Sequence, residues 1–228
     1  MANFPFDIVG FDLDGTLLDT STDLAAATNH ALALAGRPLL EAEAVKAMIG
    51  RGAKAMLEQG LEASGGFDQA VMDRVYPELL RYYEANIAVG SVPFPGMLEV
   101  LDALAARGVT LGIVTNKFER LAVKLLDSLG LSSRFAAIIG GDTMGRGNAK
   151  PSALPIEEMI RRCGGGRAAF VGDSIYDMLA AKNAGIPSIA VSFGFLMQPV
   201  EELQADAVID RFGELEAVLE AVGLRPRG

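Results

Sequence analysis

The chain has 228 residues, half of them hydrophobic, and a formal net charge of −9, which leaves room for one large domain or two smaller ones around a sizeable core and excludes the basic footprint that nucleic acid requires. One cysteine, Cys163, gives no intrachain disulfide framework. No apolar run reaches membrane-spanning length, and Met1-Ala2-Asn3-Phe4-Pro5 lacks a secretory pattern, so the expectation is a cytoplasmic globular protein, monomer or homodimer, without nucleic-acid or membrane partners.

The segment Phe6-Asp7-Ile8-Val9-Gly10-Phe11 is short, apolar and rich in β-formers, which predicts a buried strand. It runs directly into Asp12-Leu13-Asp14-Gly15-Thr16. The periodicity then turns helical. Ser21-Thr22-Asp23 offers caps, and Leu24, Ala27, Ala31 and Leu34 follow at helical spacing up to Gly36. Further helices are predicted over 41–48, 53–63 and 68–85, and Pro77 is expected to kink or split the last. No strand is expected from Leu17 to Val89, so this stretch reads as an all-helical block of bundle type.

After Val92-Pro93-Phe94-Pro95-Gly96 the pattern alternates. Helices are predicted over 97–106, 118–129, 156–163, 176–184 and 214–221. Strands are predicted over 109–114, 136–139, 168–171, 189–191 and 207–209. Such alternation builds a parallel sheet with helices on both faces. The first strand belongs with it, so the helical block is an insertion. The expected organisation is an α/β core of residues 1–17 and 91–228 and a helical domain of 18–90. The linkers near 17–20 and 90–95 would lie close together as a hinge.

Asp12 and Asp14 sit where a parallel sheet presents its ligands, beyond a strand's carboxyl end. Two close carboxylates repel unless a cation, proton or strong donor intervenes, and Mg²⁺ takes oxygen ligands of this kind. An acidic turn explains the pair equally well in isolation. Thr115 and Asn116, after the strand ending at Val114, offer a hydroxyl and helix-starting amides to phosphate oxygens or an ordinary helix cap. Asp173 follows the next strand and suits a metal, with Asp177 one helical turn onward; Asp173 or Ser174 capping the helix is the plainer alternative. Lys150 is either a solvated surface charge or an ammonium fixed among these carboxylates. The acidic chain must draw an anionic substrate in by such local cations or a metal. His30 mid-helix, Cys163, Met144, Met178 and Met197 read as packing or incidental residues.

Taken in order, Asp-x-Asp-Gly-Thr, Val-Thr-Asn, Lys-Pro and Gly-Asp-Ser-x-x-Asp resemble the four motifs of the haloacid dehalogenase-like (HAD) phosphatase superfamily. The inserted block resembles that family's alpha-helical cap of the first type. Residues 11–20 with Asp23-Leu24, Ile49-Gly50-Arg51-Gly52-Ala53, and Gly140-Gly141-Asp142-Thr143 ahead of Lys150-Pro151 are similar to its phosphoglycolate phosphatase branch. Residues 144–149, rich in glycine, depart from the tighter approach to the lysine usual there.

The resemblance implies a Rossmann-like core with a cap as substrate lid. It implies Asp12 as nucleophile, forming an aspartyl-phosphate, and Asp14 as general acid and then base. Mg²⁺ would be held by Asp12, the backbone carbonyl of Asp14, Asp173 and water. Thr115, Asn116 and Lys150 would hold phosphoryl oxygens, and Asp177 would orient Lys150 or a metal-bound water. The substrate implied is a small phosphorylated metabolite, 2-phosphoglycolate first, with Arg51 and then Lys54 as the cap's cation for its second charge. A sugar-phosphate or pyrophosphate phosphatase, or a β-phosphoglucomutase-like phosphomutase, uses the same groups. A dehalogenase needs neither a second acid nor Mg²⁺, and a phosphonatase needs a cap lysine that is not placed here. A phospho-ligand sensor would not need the full set of turnover groups.

Overall fold

In chain order the strands are β1 (Ile8–Phe11), β2 (Leu18–Asp19), β3 (Val92–Pro93), β4 (Thr110–Val114), β5 (Ala137–Ile139), β6 (Ala168–Gly172), β7 (Ser188–Val191) and β8 (Ala207–Ile209). The helices are α1 (Ser21–Leu34), α2 (Ala42–Lys46), α3 (Ala53–Ala63), α4 (Gln69–Ala85), α5 (Met97–Ala106), α6 (Glu119–Ser128), α7 (Leu154–Arg162), α8 (Ile175–Asn183) and α9 (Leu215–Gly223). The computed structural model describes residues 4–224.

Six strands form one parallel sheet in the order β5-β4-β1-β6-β7-β8. The chain builds outward from β1 to one side through β4 and β5, then returns to fill the other side from β6. The order therefore reverses beside β1, and the crevice at such a switch point is where open α/β sheets bind ligands. Register makes this concrete. Phe11 is level with Ile113 of β4 and Val171 of β6, so the residues just past each strand emerge side by side.

The strands read as continuous apolar runs because both sheet faces are covered. Val9, Phe11, Ala169 and Val171 enter the larger core, which takes in α5, α6 and α9. Ile8, Ala168 and Phe170, at alternate positions, pack instead on Ile156 and Met159 of α7 and Ala180 and Ala181 of α8.

Helices α1–α4 form the inserted helical cap, and their inner residues, among them Ala27, Leu57, Val75 and Leu79, are continuous with the larger core. Asp68 caps α4, accepting from the backbone N–H groups of Ala70 and Val71. Pro77 does not split α4, which runs unbroken from Gln69 to Ala85; Met72, Val75, Leu79 and Tyr83 are buried on both sides of the proline. The expectation of no strand after Leu17 needs one correction. Leu18–Asp19 pairs antiparallel with Val92–Pro93. A two-residue ribbon has no alternation to read, so its pairing shows only in three dimensions. It brings the two linkers together as expected, and Asp23 of α1 ties them further, accepting from the N–H of Gly90 and from the N–H and hydroxyl of Ser91.

Candidate active site

The register of β1, β4 and β6 sets Asp12, Thr115 and Asp173 at neighbouring strand ends, and all three are buried. Lys150 enters the same place from the loop after β5. Its ammonium lies 2.7 Å from Asp12 Oδ1 and 2.6 Å from Asp177 Oδ1, and it donates to the Val114 carbonyl at 2.8 Å. The four separated segments do converge. Asp177 accepts from Lys150 with one oxygen and, with the other, from the N–H and hydroxyl of Ser174 in a capping box at the start of α8. Ser174, not Asp173, caps that helix, so Asp173 is left facing β1.

Asp173 is fixed from two sides. Thr16 Oγ1 donates to its Oδ1 at 3.1 Å and the Phe195 N–H to its Oδ2 at 2.7 Å. A Cβ on Gly15, whose φ is +85°, would fall 2.2 Å from Asp173 Oδ2, and one on Gly194 would fall 2.3 Å from Asp173 Cβ. Both loops close on the carboxylate only because they carry glycine there.

Ligand oxygens of Asp12, Asp173 and Asp177 lie within 4.8 Å of one another, all buried. Among the described residues one ammonium, Lys150, ion-pairs with this group. Burial pushes Asp12 up to about 7 against the opposing effect of Lys150, with Asp177 and Asp14 adding to the rise. Burial, then Asp12 and Asp177, hold Asp173 well above the usual carboxylate range. Lys150 is disfavoured by burial, yet the charges of Asp12 and Asp177 leave it above its usual value. Among the described residues, Asp12 Oδ1 accepts no well-aligned hydrogen bond despite its closeness to Lys150. Oxygen donors carrying more negative charge than one lysine offsets are what a hard dication takes, so the residues fit a divalent metal, Mg²⁺ by donor type.

Asp14 has partners of its own outside this group. Its Oδ1 accepts from Thr20 Oγ1 at 2.7 Å and pairs with the Lys117 ammonium. Lys117 also donates to the hydroxyl of Tyr83, on α4 of the cap, at 2.8 Å. Burial disfavours the Lys117 charge, but Asp14 and Tyr83 more than restore it. Burial raises the Tyr83 phenol to about 12 against the pull of Lys117.

A cavity of about 230 Å³ opens between sheet and cap, with Asp12, Asp14, Thr115, Asn116, Lys117 and Tyr83 on its polar side and Leu24, Ile49, Met56, Leu79 and Phe118 on its apolar side. Arg51 and Lys54 also line it, but both are exposed. The Asn116 amide is committed to the carbonyls of Gly50, at 3.1 Å, and Lys150, at 3.4 Å, so this residue pins the cap's glycine loop; its buried Oδ1 has no partner among the described residues.

Sequence reasoning passed over Lys117, Tyr83, Thr16 and Thr20. Lys117 carried a usable signal, being the third polar residue past a strand's carboxyl end. Tyr83 did not, because a tyrosine on the apolar face of α4 reads as core.

The family model for haloacid dehalogenase-like hydrolases matches residues 9–191. A phosphoglycolate phosphatase of Agrobacterium fabrum is 43% identical over 212 residues, covering 92% of this chain and 90% of its own. One from Caulobacter vibrioides is 43% identical over 207 residues, covering 90% and 86%. The fold is similar to a crystal structure described as a predicted phosphoglycolate phosphatase from Haemophilus somnus, at 27% identity and a TM-score of 0.86, covering 94% of this chain and 98% of that one. Among the described residues no helix is long and apolar enough to cross a membrane.

Proposed function

The chain belongs to the haloacid dehalogenase-like hydrolase family, in its phosphoglycolate phosphatase branch, and on that premise we propose that it hydrolyses 2-phosphoglycolate through an aspartyl-phosphate on Asp12. The observation that carries this reading is the meeting of Asp12, Thr115, Lys150 and Asp173 at one end of the sheet.

A carboxylate oxygen of Asp12 attacks phosphorus, the bond to the ester oxygen breaks, and Asp14 gives that oxygen a proton to release glycolate. Asp14 then takes a proton from a water that attacks the aspartyl-phosphate, and phosphate leaves with Asp12 restored. The Thr115 hydroxyl and the Lys150 ammonium hold phosphoryl oxygens during both displacements. Asn116, expected to share in this, keeps the Gly50 loop against the core, as its committed amide indicates. Asp177 keeps Lys150 in place between the carboxylates. Asp12, Asp173 and the backbone carbonyl of Asp14 would hold Mg²⁺, which would supply positive charge to offset the repulsion between an anionic nucleophile and a phosphate dianion. Residues 18–90 act as the lid over a core made of 1–17 and 91–228, and Arg51 and Lys54 on its rim attract the anionic substrate.

Phosphate release measured over 2-phosphoglycolate, a hexose phosphate and pyrophosphate, with and without Mg²⁺, tests this. The expected result is Mg²⁺-dependent turnover with the highest kcat/KM for 2-phosphoglycolate. A higher value for either competitor would remove the substrate while leaving the phosphatase, and an isomerised phosphate ester as product would make the protein a mutase.

A further inference from the structure

Lys117 is a buried cation on the cavity wall whose position the chemistry above does not use. We propose that the Lys117 ammonium and the Tyr83 hydroxyl together form the seat for the substrate's carboxylate, so that core and cap each supply one donor to the group that distinguishes this substrate. The inference rests on the phosphoglycolate reading of the same site and names what selects that substrate.

Three observations carry it. The first is place. The carboxylate of 2-phosphoglycolate begins two bonds from the ester oxygen, so its own oxygens stay within about 4 Å of the oxygen that Asp14 protonates. Its cation must therefore stand beside Asp14, and Lys117 touches Asp14 directly. Arg51 and Lys54 line the cavity but are exposed. The second is capacity. A lysine ammonium has three donors; Lys117 commits one to Asp14 and one to Tyr83, which leaves a third for the cavity it lines. The Tyr83 oxygen accepts from Lys117 and keeps its own O–H to donate. The third is environment. The Lys117 side chain is only 6% exposed and Leu79, Phe118 and Leu121 line the same cavity, so a charge-assisted hydrogen bond there is worth more than at the exposed rim. A neutral alkyl group would leave both donors without a partner.

The test compares kcat/KM for 2-phosphoglycolate and for ethyl phosphate, which has the same two carbons and no carboxylate, in the wild type, Lys117→Met, Lys117→Arg and Tyr83→Phe, all with Mg²⁺. The wild type should prefer 2-phosphoglycolate. Lys117→Met should cut that preference on the order of 30-fold or more, as loss of a buried charged hydrogen bond does, chiefly through KM. Lys117→Arg should recover most of it, and Tyr83→Phe should cut it about threefold to tenfold. Glycolate should inhibit the wild type competitively and Lys117→Met far more weakly. Proportional loss on both esters in Lys117→Met and Tyr83→Phe would reduce the pair to a structural contact and overturn the seat. Should Lys117→Met fail to fold, an unchanged preference in Tyr83→Phe overturns it equally. A wild type that splits both esters without preference also overturns it but leaves the phosphatase standing, whereas one that splits neither with Mg²⁺ present defeats the proposed function itself.

Discussion

The two charged groups of the site, one at the sheet end and one toward the cap, are built on opposite electrostatic plans. At the sheet end, three buried carboxylates face one ammonium, and burial, with their mutual repulsion added, holds Asp12 and Asp173 above the usual range. At the cap end, Asp14 is matched by Lys117, and further cations, Arg51 and Lys54, make no ion pair among the described residues and stand on the rim. The first end is short of positive charge and suits a dication. The second has positive charge to spare and suits an anion. A phosphate ester with a carboxylate at its other end satisfies both at once.

Substitution at the sheet end should separate chemistry from folding most sharply. Asp12→Asn removes the proposed nucleophile while relieving repulsion on Asp173. Phosphate release should fall on the order of 10⁴-fold or more, with the melting temperature of the metal-free protein unchanged or raised. Substantial residual turnover would take the nucleophile's role from Asp12.

Lys150→Met tests the opposite member of the same group. Here the carboxylates lose the one cation paired with them among the described residues, so turnover should fall on the order of 10³-fold and stability by about 3 kcal/mol, the usual cost of leaving buried charge unpaired. Denaturant unfolding measures the second effect. A protein as stable as the wild type would mean that the carboxylates are protonated rather than held by Lys150.

This contrast was half legible in the chain itself. The sheet end announces itself because Asp12, Thr115, Asp173 and the lysine before Pro151 all follow segments whose apolar runs mark strands, and parallel strands end at one place. The cap end does not. Tyr83 lies on α4 among residues whose burial looks like packing, and Thr16 and Thr20 act through hydrogen bonds to Asp173 and Asp14 that only the folded loop creates. The β2–β3 ribbon stayed hidden for a related reason: two residues a side, one of them Pro93, carry no periodic signal.

The burial of the carboxylates at the sheet end should also appear as a pH dependence of stability. Burial, against the pull of Lys150, raises Asp12 from the usual carboxylate range to about 7. An acid raised in the folded state favours folding fully below its unfolded value, and that contribution is lost as pH rises through the folded one. In chelator the melting temperature should therefore decline from about pH 4 to about pH 7, and Asp12→Asn should flatten the decline. Mg²⁺ should restore stability most at the upper end of that window, by about 2.7 kcal/mol at a hundredfold excess over its dissociation constant. A Mg²⁺ effect that is equal at both ends of the window would place the ion elsewhere.

The smallest effect belongs to the rim. Arg51 sits between Gly50 and Gly52 on a loop held to the core through Asn116, and its guanidinium is exposed. Solvent screens an exposed charge, so its pull on a bound carboxylate is worth about 1 kcal/mol at most. Arg51→Ala should raise KM for 2-phosphoglycolate about fivefold, leave kcat nearly unchanged, and alter KM for an uncharged aryl phosphate less. The effect should shrink as salt is raised from 0.05 to 0.5 M, roughly as the Debye length contracts, whereas the effect of Lys117→Met should persist because that charge is out of water. Equal effects of Arg51→Ala on charged and uncharged esters, or an effect indifferent to salt, would mean that Arg51 shapes the loop rather than attracting the substrate, and that the cap end draws its positive charge from the buried lysine alone.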